Sequence, residues 1–143
     1  MKYTLAPGAT APTRATKHAA GYDLTAHIPG HGHRAKFVHL HGVTVIHTGV
    51  SVAIPTGYVG LVYIRSSLGA RGLMLANGTG VIDSDYRGEI ILKLTSHQGS
   101  INIGHGDRIA QLVIVPILTP NLEQVETLDT TERGTGSFGS TGH

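Results

Sequence analysis

Cysteine and tryptophan are absent from this 143-residue sequence, and only two residues are phenylalanine. Without cysteine, disulfides, thiolate zinc sites and cysteine nucleophiles are excluded, and any metal must be met by oxygen or imidazole ligands. Charge is scarce as well: 14% of residues are Asp, Glu, Lys or Arg, against roughly a quarter in ordinary soluble domains. The sequence pI is ≈ 9.1, yet the net charge of +2 is spread thinly, with no lysine and arginine cluster interleaved with aromatics. That argues against nucleic acid as a partner. Long apolar runs are missing too. The longest, Leu112 to Leu118, is broken by Pro116 and falls far short of the roughly 18 residues of a membrane span. The opening MKYTLAPGAT carries one lysine and no apolar core of a secretory signal, so no membrane association and a cytoplasmic location are expected, in the host cytoplasm if the gene is viral.

What remains suffices for one domain. A chain of this length buries on the order of 70% of the surface it exposes when unfolded and needs no staple. Its apolar segments are short and punctuated by glycine or proline every eight to twelve residues, the spacing of an all-β sandwich or barrel. Val50, Val52 and Ile54 alternate with Ser51 and Ala53, and Ile90, Leu92 and Leu94 alternate with Ile91, Lys93 and Thr95, which predicts two half-buried strands. Val59 to Ile64 is nearly continuous and predicts a strand buried on both faces. Ile109 to Val115 is another β-rich run, interrupted by Gln111. One short helix is expected at most, a turn capped by Ser66.

Three segments carry candidate chemistry. RSSLG, residues 65 to 69, sets an arginine and paired hydroxyls after a strand, a combination suited to phosphate. GVIDSDYRGEI, residues 80 to 90, places Asp83 and Asp85 in a turn. Such aspartates commonly bond nearby backbone amides; alternatively, one carboxylate orients and deprotonates a water. RGTGSFGSTG, residues 133 to 142, alternates glycine with small hydroxyl residues around Phe138 and cannot build a core. It reads equally as a disordered tail or as a flap that wraps an anion and stacks an aromatic ring on a base.

With AAGYDL (19 to 24) and GDRIAQLVI (106 to 114), these segments stand in the order and spacing of the five motifs of the trimeric deoxyuridine triphosphatases, and the sequence resembles that family from residue 19 to 142. The resemblance implies a jelly-roll-like β subunit over residues 1 to 126 with a flexible glycine-rich arm over 127 to 143. It implies a homotrimer with shared active sites, and Mg²⁺-assisted hydrolysis of dUTP to dUMP and pyrophosphate. On that resemblance Asp83 orients the water that attacks the α-phosphorus, and Tyr86 packs on the deoxyribose and refuses a 2′-hydroxyl. Asn77, Gly80, Val81, Ile82 and Ile91 line the uracil pocket, while Arg65, Ser66, Ser67 and Gln111 surround the phosphates. From the arm, Phe138 stacks on uracil and Arg133, Ser140 and Thr141 hold the outer phosphates. Mg²⁺ is held mainly by phosphates and water, with Asp23 reaching it through water; Asp107 is structural. The arm's Gly136-Ser137-Phe138 stands where the family has Gly-Gly-Phe.

Two alternatives share the resemblance. A dCTP deaminase, or a bifunctional relative, needs a glutamate in the strand after the third motif, where this sequence has Lys93. A regulatory protein would bind dUTP without turnover. Separately, His27, His31, His33, His39 and His41 crowd one stretch; pairs two apart project to one strand face and suit zinc or nickel, but the spacing matches no metal motif and surface positions are expected.

Overall fold

A computed structural model describes residues 1–30, 36–38 and 42–137. His31, His33, His39, His41, Phe138, Ser140 and Thr141 lie outside them. The described residues form ten strands and one turn of helix: β1 (Lys2–Leu5), β2 (Gly21–Thr25), β3 (Lys36–Val38), β4 (Thr44–Ala53), β5 (Tyr58–Ile64), α1 (Ser66–Gly69), β6 (Leu73–Leu75), β7 (Gly80–Ile82), β8 (Glu89–Ser96), β9 (Ile101–Ile103) and β10 (Arg108–Pro116). They build two four-stranded sheets, ordered β1-β4-β8-β6 and β2-β10-β5-β7, and a small β3-β9 pair. All pairings between these strands are antiparallel. The expected all-β architecture is therefore observed.

The two larger sheets contribute their inward rows to one core. Leu24, Ile46, Val50, Val62, Leu92, Leu94, Ile109 and Leu112 are buried in it. On β8 the alternation holds as read, with Ile90, Leu92 and Leu94 inside and Ile91 and Lys93 outside. β5 departs from expectation. Val59 and Val62 are buried but Tyr63 is exposed and Leu61 only half-covered, because among the described residues nothing covers that end of the sheet's outer row. The apolar run mixes one core face with one uncovered face.

Ser66 does not cap α1. Arg65 occupies the N-cap with no side-chain bond to the helix, and its carbonyl accepts the N–H groups of Leu68 and Gly69. The arginine side chain is thereby free to turn elsewhere.

The β4–β8 ladder is broken between His47 and Ser51. Thr48 fills the gap, its hydroxyl donating to the Ile90 carbonyl at 2.7 Å and accepting from Val50 N–H at 3.2 Å. Gly49 takes φ +67° there, and a Cβ on it would run into Ala9. A left-handed residue at such close approach is a place for glycine. The same bulge buries His27, which bridges to His47 and is 9% exposed, its ring 5.5 Å from that of His105. The surface position expected for His27 is thus incorrect: the bridge to β4 draws it inward.

Candidate active site

The loop from β6 to β7, which crosses from one sheet to the other, and the turn from β7 to β8 enclose a cleft of about 260 Å³ lined by Asn77, Gly80, Val81, Ile82, Asp83, Tyr86, Glu89, Ile90 and Ile91. Asn77 Nδ2 donates to the Thr79 carbonyl at 3.1 Å and stiffens the loop. Gly80 lets β7 lie close to β5, since a Cβ there would stand 3.0 Å from that of Val62.

The turn carrying Asp83 is held by other groups than its aspartates. Tyr86 N–H donates to the Asp83 carbonyl at 3.2 Å, and Arg87 donates to the carbonyls of Ser84 and Tyr86 at 2.7 and 2.8 Å. Among the described residues neither the Asp83 nor the Asp85 carboxylate is hydrogen-bonded, and only Asp83 lines the cleft. Its exposed carboxylate can therefore accept from water. Tyr86 stands at the same mouth, its hydroxyl donating to the Glu89 carbonyl at 2.9 Å.

A second cleft of about 390 Å³ lies between α1 and the β9–β10 turn, and Arg65, Ser67, Arg71, Asn102, Asp107 and Arg108 are among its walls. Asp23, almost buried on β2, sits behind it, with one oxygen 3.1 Å from Arg65 Nε and the other 3.2 Å from an Arg108 guanidinium nitrogen. One carboxylate thus orients two guanidiniums and leaves one positive charge in surplus, an arrangement suited to phosphate. Asp107 accepts Gly104 N–H at 2.7 Å and shapes the turn.

The expected site residues are only partly gathered. Seven of them line the first cleft, and Arg65 and Ser67 line the second, which shares no wall with it. Ser66 and Gln111 line neither; Gln111 lies against Gly21. Arg133 is exposed and bonds the Gly136 carbonyl at 3.2 Å. Arg71, Asn102, Arg108 and Glu89 were missed by sequence reasoning. Arg108 alone had a signal, its place next to Asp107 in GDRIAQ.

Glu89 titrates below its ordinary range. Burial alone raises its pKa, but the His47 hydrogen bond, the N–H of Gly49 and the His47 charge outweigh it, leaving the carboxyl below its ordinary 4.5. A depressed carboxylate stabilises the fold fully above its unfolded pKa and loses that contribution as pH falls through the folded value. Wild type should therefore melt above Glu89→Gln at pH 6, and the two melting curves should converge as pH drops below 4.5.

Two antiparallel four-stranded sheets around one core, with a guanidinium cluster at one cleft and an exposed carboxylate at another, define an all-β protein with a site suited to an anionic ligand. The chain belongs to the dUTPase family, whose sequence model matches residues 8–142. The deoxyuridine 5'-triphosphate nucleotidohydrolase of Yarrowia lipolytica is 42% identical over 137 residues, 94% of this chain and 83% of that protein. The dUTPase of Staphylococcus bacteriophage 80alpha, solved with dUPNHPP, superposes with a TM-score of 0.86 at 33% identity, covering 99% of this chain and 98% of that one. A mutant dUTPase from phage phi11 of S. aureus, described with a structural Mg(II) ion, has a TM-score of 0.75 at 31% identity, covering 88% of this chain and 96% of that one. Among the described residues no helix is long and apolar enough to cross a membrane.

Proposed function

We propose that this chain hydrolyses dUTP to dUMP and pyrophosphate, which keeps uracil out of DNA and supplies dUMP for thymidylate synthesis. The observation that carries the reading is the shared cleft: Asp83 and Tyr86, three residues apart on one turn, stand at the mouth of a pocket walled by the β7 backbone. Asp83 accepts a proton from water as that water attacks the α-phosphorus; the bond to the bridging oxygen breaks and pyrophosphate leaves. The β7 backbone and Asn77 offer a fixed order of donors and acceptors to uracil, a device that rejects a mismatched base by leaving buried polar groups unpaired. Tyr86 closes the sugar position to a 2′-hydroxyl.

Arg65 and Ser67 take the phosphates in the second cleft, and on the family resemblance Ser66 and Gln111, which do not line it in the single chain, join them. This cleft and the first share no lining residue; on the resemblance to the trimeric family, a second copy of the chain brings the two together and the protein is a homotrimer with shared active sites. The arm, residues 127 to 143, closes over a neighbour's nucleotide with Arg133, Phe138, Ser140 and Thr141. Among the described residues no three His, Asp or Glu side chains converge, and both Asp23 oxygens face guanidiniums. The chain therefore fits a Mg²⁺ that arrives on the triphosphate and keeps phosphate and water ligands, as Mg²⁺ commonly does. When bound, it supplies charge neutralisation at the phosphates.

Incubation with Mg²⁺ and each deoxynucleoside triphosphate in turn, with pyrophosphate measured, tests the reading. Turnover of dUTP alone is expected. A deaminated product from dCTP would favour the deaminase instead, against which Lys93 already speaks from the exposed face of β8. Tight dUTP binding without turnover would make the chain a binding protein.

A further inference from the structure

The turn that carries Asp83 and Tyr86 is tied to the opposite strand through one residue, Glu89, and both its main chain and its side chain are engaged. Its main-chain carbonyl accepts the Tyr86 hydroxyl at 2.9 Å. Its carboxylate accepts Gly49 N–H at 2.6 Å through one oxygen and faces His47 Nδ1 at 2.9 Å through the other. Gly49 lies in the β4 bulge, where the ladder to β8 is interrupted, so the carboxylate stands in for the missing strand partner. Below the tyrosine, Gly88 provides the seat: a Cβ on it would come within 2.6 Å of Tyr86 Cζ. The ring is thus fixed by an absent side chain beneath and a bond at its far end, and that bond ends on the residue anchored to β4.

We propose that Glu89 is a positioning residue for sugar selection, fixing the end of β8 whose carbonyl holds Tyr86 and thereby setting how strictly the site refuses a 2′-hydroxyl. This rests on the reading of Tyr86 given above. The carboxylate is spent on β4 atoms and has no part in water attack, so its loss should appear in discrimination between sugars more than in kcat for dUTP. His47 is the ionisable partner on β4, while Asp83 and Arg87 flank from the turn itself.

The test compares kcat/KM for dUTP and UTP. Glu89→Ala should lower the dUTP-to-UTP ratio of kcat/KM roughly tenfold, the scale of one charge-assisted hydrogen bond, the larger part of the change being a gain in kcat/KM for UTP. Glu89→Gln, whose carbonyl oxygen still accepts Gly49 N–H, should restore most of the ratio. Should Glu89→Ala fail to fold, Glu89→Asp serves: it keeps the charge but is one methylene short of Gly49, and it should lose discrimination as alanine does. Tyr86→Ala is measured in parallel. If it leaves the ratio unchanged, the reading of Tyr86 falls and this proposal with it. If Tyr86→Ala collapses the ratio while folded Glu89→Ala or Glu89→Asp retains the wild-type value, the positioning role alone is overturned.

Discussion

Asp83→Asn is expected to bind dUTP within a few-fold of wild type while kcat falls by about 10²–10⁴, the usual contribution of a positioned general base. The amide keeps the size of the carboxylate and can still accept from water, but it cannot take the proton. Because the Asp83 carboxylate has no hydrogen bond to any other described residue, the substitution leaves the turn intact: the bonds made by Arg87 and by Tyr86 N–H hold it. Single-turnover release of pyrophosphate, alongside equilibrium binding of a non-hydrolysable dUTP analogue, separates the two effects. Wild-type turnover would remove Asp83 from its role. Loss of binding in equal measure would make it a binding group instead.

A chain ending at Glu132 is expected to stay a trimer in solution and to lose about 10²–10³ in kcat/KM, comparable to removing preorganised donors from a charged transition state. Arg133, Phe138, Ser140 and Thr141 would all be gone. The segment that leads to them behaves as a lead-in to somewhere else: after β10 ends at Pro116, Leu118, Leu122 and Leu128 are 94%, 99% and 85% exposed. Apolar residues in such a row find no cover among the described residues. Unchanged activity in the shortened chain would leave the arm without a part in catalysis.

The strands were legible where a period of two met a single covering layer. β8 is the clear case, since its inward leucines and outward lysine follow from alternation alone. β5 was overread because valine, leucine and tyrosine look alike to a hydrophobicity pattern, whether or not anything lies over them. His27 was misplaced for a related reason: burial there comes from a bridge to His47, twenty residues on, and no local pattern announces it. In the candidate site, the segment from Gly80 to Tyr86 could be found because its residues are neighbours in sequence. The Asp23 link to Arg65 and Arg108 could not, since Asp23 and Arg108 are 85 positions apart and meet only once β2 and β10 are side by side. The same holds for Glu89 and Gly49, joined across 40 positions at an irregularity that sequence alternation cannot register.

The lack of a common wall between the two clefts has a consequence for inhibitor chemistry. A nucleoside fragment that fills the cleft at β7 and a polyanionic fragment that settles among Arg65, Arg71 and Arg108 occupy separate compartments, so neither should displace the other. A tether joining them turns the second contact into an intramolecular one, and its length, more than any added contact, then governs the gain.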